Sequence, residues 1–402
     1  MEKTDIIILG GGLIGQTLAI ALDHYGLRSA VVDPMPAEQT LSADFDGRAS
    51  AVASASWRML DMIGVGEALK PYGCAIHTIE VRDGPQKGAL DFTTPSDDEP
   101  LGTMVENRIL RRVLRERIAR AENVALHIPR KANEVARDAH GVRVTLDNGQ
   151  TLAAPLLIAA EGRNSPMRTL AGIRVANWKY DHSAIISAFD HSINHNNIAH
   201  EIFYPAGPFA LLPLQPGTRS ALVWTVTAKD APGVLALSER AFLAEVAKRS
   251  GGLLGDVTMA APRSSYPLGF HHAAHITTER LALVGDAAHG IHPIAGQGLN
   301  LGFRDVAALV EVLVDGARLG LDLGDAQLLT RYERWRGIDT MLVSIATDGL
   351  NRLFSVPGRP ASAIRRFGLG VVQKIAPLKS LFMAEARGMS GDLPKLLQGV
   401  AI

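Results

Sequence analysis

The sequence predicts a mixed α/β (α+β) protein: a domain built on βαβ units, an antiparallel sheet inserted into it, and a helical C-terminus. Three observations carry this. An apolar run near the N-terminus leads into a glycine-rich turn and a helix-length apolar segment, and a second apolar run ends in Asp33, which is the pattern of a βαβ unit. Segments of alternating hydrophobicity fall within 71–105 and 173–275, as antiparallel strands require. A further apolar run, Leu281-Ala282-Leu283-Val284, opens a stretch over 281–309 in which a polar loop and Gly296-Gln297-Gly298 precede a helix from about Leu299. These shifts assign 1–70, 106–172 and 276–355 to the first domain, 71–105 and 173–275 to the sheet domain, and 356–402 to the tail.

A chain of 402 residues suits about two domains. Its 47% apolar and 20% charged residues are those of an ordinary globular protein. A formal charge of zero argues against a nucleic-acid partner. The single cysteine, Cys74, excludes an internal disulfide and a cysteine metal cluster, and suits a reducing cytoplasm. Lys3 followed by Ile6 to Leu9 mimics a signal peptide, but Asp5, the glycines that follow and the lack of a small-residue cleavage site argue against one. No stretch reaches the roughly eighteen apolar residues of a membrane span. The chain is expected to be soluble, or to lie on a membrane surface.

Residues 5–9 (DIIIL) read as a strand, and Gly10, Gly12 and Gly15 supply GxGxxG. A helix follows to about Tyr25, with Gly26 as its stop, and a strand over 28–33 ends in Asp33. An acid about twenty residues beyond the glycines is the spacing of a Rossmann-like dinucleotide fold. The glycines permit a tight turn and close approach of a pyrophosphate, the helix N-terminus faces its charge, and Asp33 accepts from a ribose hydroxyl. A tight structural turn is the alternative. This unit alone leaves FAD and NAD open.

Residues 44–62 begin as a polar loop and become a small-residue helix, with Arg48 just before it. The segment 71–105 is rich in Pro and Gly and carries the run Ser96-Asp97-Asp98-Glu99. Arg108 leads a helical stretch over 109–121. From 124 to 158 the pattern is strand, hairpin, strand, with Asp147-Asn148-Gly149 as the turn. A buried strand over 156–160 then meets Glu161-Gly162-Arg163-Asn164-Ser165-Pro166-Met167-Arg168. Within 173–275, short alternating segments surround a helix near 238–249, and Pro216-Gly217 makes a turn. His182, His191, His195 and His200 lack metal-ligand spacing and read as packing or surface residues, so no metal site is expected.

In the stretch over 281–309, Gly285-Asp286 ends the strand and leaves a carboxylate at its carboxyl end. The free N–H groups and positive dipole end of the following helix suit an anion, or a group that becomes anionic, such as a reduced flavin. Asp286 suits a ribityl hydroxyl, and this motif decides for FAD over NAD.

The string GDAAHGIHPIAGQGLNLGFRDVAAL resembles the second FAD-binding motif of aromatic flavoprotein hydroxylases, and most of all that of the ubiquinone-biosynthesis hydroxylases. The resemblance extends over most of the chain. Tyr332-Glu333-Arg334-Trp335-Arg336, Thr347-Asp348-Gly349-Leu350 and Phe354-Ser355 are similar to the same family. It implies that Gly285 and Asp286 hold the ribityl chain, that Pro293 lies at the reactive edge of the flavin, and that Gly296, Gln297, Gly298 and Asn300 line its ring. It also implies that Arg48 and Arg108 lie close to the flavin. Glu161-Gly162 resembles the third motif, where the family has Asp-Gly; Arg168 keeps its place. Pro267-Leu268 is similar to a family turn that returns the chain to the flavin domain.

No Ser-His-Asp order, paired catalytic carboxylates or HExxH is present. His289 and His292 invite a general-base role or a structural one that shapes the flavin pocket; His292 and Pro293 are the residues placed at the chemistry. The resemblance implies an enzyme in which NAD(P)H reduces FAD and O₂ supplies an oxygen to the phenolic ring of a polyprenylated substrate. No second Rossmann unit for NAD(P)H is visible, as the resemblance implies. Two alternatives remain at this point: an isoprenoid-lipid or quinone reductase without oxygen insertion, and a non-catalytic FAD-holding scaffold among other ubiquinone-biosynthesis proteins. The tail interleaves Arg365, Arg366, Lys374, Lys379 and Arg387 with apolar residues. It suits either a membrane surface, at the inner face from the cytoplasm, or packing on the protein's own body.

Overall fold

The computed structural model describes residues 1–36, 39, 44–84, 90–95, 97–290, 297–337 and 376–402. A six-stranded sheet is ordered Thr277–Thr278, Leu281–Leu283, Leu156–Ala159, Ile6–Leu9, Ser29–Val32, Val124–His127. Its neighbours are parallel except for the hairpin at Thr277–Thr278. Every residue of the four strands from Leu281–Leu283 to Ser29–Val32 is buried. Both sheet faces are therefore covered, and the strands are continuous apolar runs rather than alternating ones.

The helix Leu13–His24 packs against both Asn107–Ile118 and Gln297–Arg318. In Asn107–Ile118 the buried residues Ile109, Leu110, Val113, Leu114 and Ile118 form one stripe, and the arginines occupy the rest. Gln297–Arg318 is different, with Val306 to Val310 and Val312 to Val314 buried in succession. It is an interior helix, packed all round.

An eight-stranded sheet is ordered His289–Gly290, Val257–Ala273, Val175–His191, Arg219–Thr227, Gly207–Leu214, Ile198–Tyr204, Thr78–Asp83, Leu90–Thr93. Its pairings are antiparallel except that Ile198–Tyr204 runs parallel to Thr78–Asp83. One face is closed by the helix Glu239–Ser250, which Ser238 caps through Oγ to the Ala241 N–H at 3.3 Å. Phe189, Phe209, Trp224 and Phe242 fill the layer beneath. The expected turn at Pro267-Leu268 is not a turn. Both residues lie inside the continuous strand Val257–Ala273, where a register irregularity in the partner between Lys179 and Ser183 accommodates them.

A three-stranded sheet joins Ala49–Ala53, Gly102–Glu106 and Cys74–Ile76. The small residues after Arg48 thus begin as a strand, and the helix starts only at Ser54. Packing decides this: a side chain at Gly102 would stand 2.8 Å from the Val52 carbonyl oxygen, so the two strands approach more closely than any other residue allows. A four-stranded sheet holds the hairpin at 147–149, with Gly149 at φ 82°.

Toward the C-terminus a helix covers 326–337, followed among the described residues by Ala376–Ala386 and Lys395–Gln398. Leu396 and Leu397 are fully buried. Arg304 donates to the carbonyls of Gly388, at 3.2 Å, and Ser390, and the Ala55 N–H donates to the Arg387 carbonyl at 3.0 Å. This end of the tail packs on the body. Lys379 pairs with Asp91 at 3.5 Å and Arg387 with Asp98 at 2.5 Å; Arg365, Arg366 and Lys374 lie outside the described residues, as do residues 347–350 and 354–355.

Candidate active site

Leu281–Leu283, Leu156–Ala159 and Ile6–Leu9 are adjacent and parallel, so their carboxyl ends share one edge of the sheet. That edge brings Gly285-Asp286, Glu161-Gly162 and the Gly10–Gly15 loop side by side. Ligand sites of open parallel sheets form at such an edge.

Gly10 has φ 106°, and a side chain there would come within 2.3 Å of the Ala160 carbonyl oxygen. At Gly15 it would lie 1.9 Å from the Gly10 oxygen. Both glycines are demanded by the turn itself. Gly12 is not: a side chain there would meet no atom of the described residues within 4 Å, and the same holds at Gly162 and Gly298. Three motifs thus border space that the described residues do not fill. Gly12 caps Leu13–His24 without any side-chain hydrogen bond or first-turn acid, leaving helix N–H groups for an anion. Asp33 accepts from the Gly11 N–H at 2.6 Å and the Met35 N–H at 2.7 Å, so the expected ribose acceptor also braces the glycine loop.

Asp286 is exposed, while its backbone carbonyl faces His271 Nε2 at 2.7 Å. Gly285 has φ 59° and sits against Ile14 of the first helix; at Gly302 a side chain would lie 3.4 Å from the Gly285 Cα. Gly302 is demanded by Ile14, whose Cδ1 would lie 2.5 Å from an added side chain, so the motif helix packs tightly on the first helix beside the strand end. Gln297 begins that helix and Gly298 follows; His292, Pro293 and Gly296 lie outside the described residues. Asn300 is buried and accepts from the Ala53 N–H at 2.9 Å while donating to the Ala51 carbonyl at 2.8 Å. Those bonds tie the motif helix to the strand that follows Arg48, a contact distinct from the expected ring-lining one.

Behind the Gly-Asp turn lies a charge cluster that the sequence reading did not find. Asp305 is fully buried and accepts at Oδ2 from the Gly285 N–H at 2.8 Å and from His289 Nε2 at 2.7 Å. Its Oδ1 accepts from Arg336 Nε at 2.7 Å. Burial pushes this carboxyl up, but the charges and hydrogen bonds of His289 and Arg336 outweigh it and hold the group below the usual carboxylate range. Tyr332, also fully buried, donates to the Leu283 carbonyl at 2.9 Å. Glu333 accepts from the Ile276 N–H at 3.0 Å and the Thr277 hydroxyl at 2.8 Å. Residues 332–336 thus clamp the strand that presents Gly285-Asp286. His289 takes the structural role. The available signal was an Arg-Asp pair opening an apolar run, FRDVAALV.

Glu161 accepts from the Ser165 hydroxyl at 2.6 Å and the Met167 N–H at 3.1 Å. Burial raises its pKa, and those two bonds and Arg168 only partly offset the effect. The longer side chain therefore curls back onto its own loop. Arg168 is buried and donates to the Ala287 carbonyl at 2.9 Å and the Arg163 carbonyl at 2.8 Å, joining this loop to the Gly285-Asp286 turn.

Arg48 is exposed and paired with Asp46 at 2.5 Å; Arg108 pairs with Glu106 at 2.5 Å and lies 5.6 Å from the Phe45 ring. The Asn107 N–H donates to the Arg48 carbonyl at 3.0 Å, which brings the two arginines to one end of the three-stranded sheet. Arg111 joins them: burial, then the Arg48 charge, lowers its pKa. His191 and His195 are buried within hydrogen-bond distance of the backbone carbonyls of Ile193 and Leu214. No metal-ligand cluster is found among the described residues.

Residues 3–337 match the family model described as an FAD binding domain. Ubiquinone hydroxylase UbiL of Rhodospirillum rubrum is 44% identical over 404 residues, covering 100% of this chain and 94% of that protein. The chain belongs to the FAD-dependent monooxygenases of ubiquinone biosynthesis. Another member, the mitochondrial ubiquinone biosynthesis monooxygenase COQ6 of Mus musculus, is 32% identical, covering 95% of this chain and 90% of its own. The fold matches the crystal structure of p-nitrophenol 4-monooxygenase PnpA from Pseudomonas putida, with a TM-score of 0.78 at 18% identity, over 97% of this chain and 99% of that one. The cofactor of this monooxygenase family is FAD, with NAD(P)H and O₂ as co-substrates. The open glycines, the uncapped helix N-terminus and the exposed Asp286 fit FAD along the strand-end edge.

Proposed function

We propose that this monooxygenase hydroxylates the aromatic ring of a polyprenylated phenol in ubiquinone biosynthesis. The observation that carries this is the meeting of three cofactor motifs at one sheet edge, beside a large sheet that offers a second wall. Bound FAD supplies electron transfer from NAD(P)H and the activation of O₂. The chain's own work is to bind and orient. N–H groups after Gly12 face the pyrophosphate, Asp286 takes a ribityl hydroxyl, and the N–H groups opening the helix Gln297–Arg318 stabilise negative charge on the reduced ring. Asp305, held by His289 and Arg336, fixes the turn that presents Asp286. Arg48 and Arg108 supply positive charge at the flavin's edge.

A polyprenylated ring resides in a bilayer, so we place the enzyme at the inner face of a membrane, reached from the cytoplasm. No helix among the described residues is long and apolar enough to cross one. Lys379 and Arg387 are committed to internal ion pairs and do not serve that contact.

The test is reconstitution with FAD, NAD(P)H, a short-chain prenylphenol and isotopically labelled O₂. Label in a hydroxylated product is expected; NAD(P)H oxidation without labelled product would show a reductase instead. In cells lacking the gene, a prenylated phenol short of one hydroxyl should accumulate and be cleared by the wild type but not by Asp286→Ala.

A further inference from the structure

Glu201 has no role in the account above. It lies on the strand Ile198–Tyr204, directly across from Val81 on one side and Ala210 on the other. The row continues through Val223 to Ile186, so these five side chains share one face of the eight-stranded sheet. The opposite face is the one closed by Glu239–Ser250, against Ile185, Ile202 and Trp224.

The Glu201 face looks toward the cofactor motifs. In the neighbouring row, Leu212 and Ala221 pack with Phe45, Ala49 and Ala51, which flank Arg48. On the other side, Ile186 and Val223 pack with Tyr180 and Leu268, and Tyr180 also touches Phe270 and Leu301 of the motif helix. Glu201 therefore stands on the wall that spans from the Arg48 strand to the motif helix.

Its carboxyl is half-buried and has neither a hydrogen-bond nor a charged partner among the described residues; burial raises its pKa to about 7. An unpartnered carboxyl among Val81, Ala210 and Val223 costs stability, and the neighbours Ala199 and Ala210 on its face are small. We propose that Glu201 is a catalytic residue for the phenol, its carboxylate accepting the substrate's hydroxyl hydrogen bond and taking up that proton as oxygen is transferred. The O–H bond of the phenol breaks and a Glu201 Oε–H bond forms. The electron pair left on the phenol oxygen enriches the ring, and the proton returns to the product. A base with a pKa near the working pH is suited to this step.

The nearest other titratable group on this face of the adjacent strands is Asp83. Glu80, Arg82 and His200 form a cluster on the opposite face, with Glu80 2.6 Å from Arg82 and 2.8 Å from His200. Gly207–Leu214 carries no titratable side chain. On the helix Ala376–Ala386, Lys379 is paired with Asp91 and Glu385 is bonded to Ser390. Asp46 and Arg48, between Phe45 and Ala49, and Arg111 have electrostatic contacts with one another.

The inference rests on the proposed phenol substrate, and the test separates the two. Affinity of oxidised holoenzyme for a short-chain prenylphenol and for its methyl ether, which cannot donate, is measured by flavin fluorescence at several pH values. Wild type should prefer the phenol by about tenfold or more, with the preference growing as pH rises through about 7. Glu201→Gln and Glu201→Leu should bind FAD normally, lose that pH dependence, and slow product formation by roughly a hundredfold. An unchanged phenol-to-ether ratio in Glu201→Leu would overturn the role of Glu201. If wild type binds neither ligand, both proposals fall; if it binds the phenol but forms no product, only the hydroxylase reading falls, and the ratio still decides on Glu201.

Discussion

Arg336 donates through Nε to Asp305 Oδ1 at 2.7 Å, and both side chains are removed from water. A buried ion pair broken on one side leaves an uncompensated charge, which costs about 3–5 kcal/mol. Asp305→Ala should lose about that much in urea denaturation and release FAD, although Asp305 lies behind the turn. The double variant Asp305→Leu/Arg336→Met should recover only the part due to the stranded Arg336 charge, because His289 and the Gly285 N–H still lose their acceptor.

The same carboxyl predicts acid behaviour. Its pKa in the fold is held below the ordinary value, so the stability it confers is complete above the unfolded value of about 3.9 and is lost as pH falls from there toward the folded value. Acid unfolding of the wild type should steepen below about pH 4. Asp305→Asn should be less stable at neutral pH and flatter in this window, as followed by circular dichroism.

The glycines should separate fold from cofactor. Gly10→Ala and Gly15→Ala force contacts of 2.3 Å and 1.9 Å with backbone oxygens, and should lower the melting temperature of the apoprotein. At Gly12→Ala the added Cβ meets no atom of the described residues within 4 Å. This variant should leave the apoprotein's melting temperature intact while abolishing the flavin absorbance that co-purifies. Equal destabilisation at all three positions would refute the assignment of Gly12 to the cofactor's side of the loop.

Glu161 carries the opposite sign from Asp305. Burial raises its pKa, so its contribution favours the fold below the unfolded value of about 4.3 and is lost as pH rises through the higher folded value. Glu161→Gln keeps an acceptor for Ser165 and Met167 without the charge, and should be at least as stable as wild type at neutral pH. Glu161→Ala removes a helix-start acceptor and should cost about 1–2 kcal/mol, read by chemical denaturation.

Removing residues 387–402 should destabilise the body, not merely shorten a tail. Leu396 and Leu397 are fully buried, each worth about 1.5–3 kcal/mol, and Arg304 would lose two carbonyl partners. Melting temperature and vesicle flotation on the same truncated protein test packing and membrane contact separately.

The motifs at the strand ends were legible because each depends on local grammar: an apolar run, glycines and an acid at set spacing. Asp305 with Arg336 was not legible as a pair, since the two residues meet only through tertiary packing of separate helices. Arg168 and Asn300 stood in recognised motifs, yet the bonds they make cross between loops and strands distant in sequence. The Ala49–Ala53 strand was hidden because small residues carry weak preference and its partner, Gly102–Glu106, lies far along the chain. Pro267 read as a turn because proline usually interrupts a ladder, whereas a local irregularity in the partner strand absorbs it here.

The parallel pairing of Thr78–Asp83 with Ile198–Tyr204 has a consequence for biosynthesis. A ribosome finishes the hairpin Thr78–Thr93 about a hundred residues before its sheet partner exists, which at about 5–20 residues per second is a wait of roughly 5–20 s. Leu90 and Phe92 can meanwhile pack with the three-stranded sheet, complete by Glu106, but the other edge of Thr78–Asp83 stays unpaired throughout that interval. The last strand of the nucleotide sheet, Leu281–Leu283, is later still, and its clamp at 332–336 later again. The nascent chain must therefore hold its six-stranded and eight-stranded sheets open until most of it has been made, so its yield in a cell should depend on chaperone capacity more steeply than its finished stability would suggest.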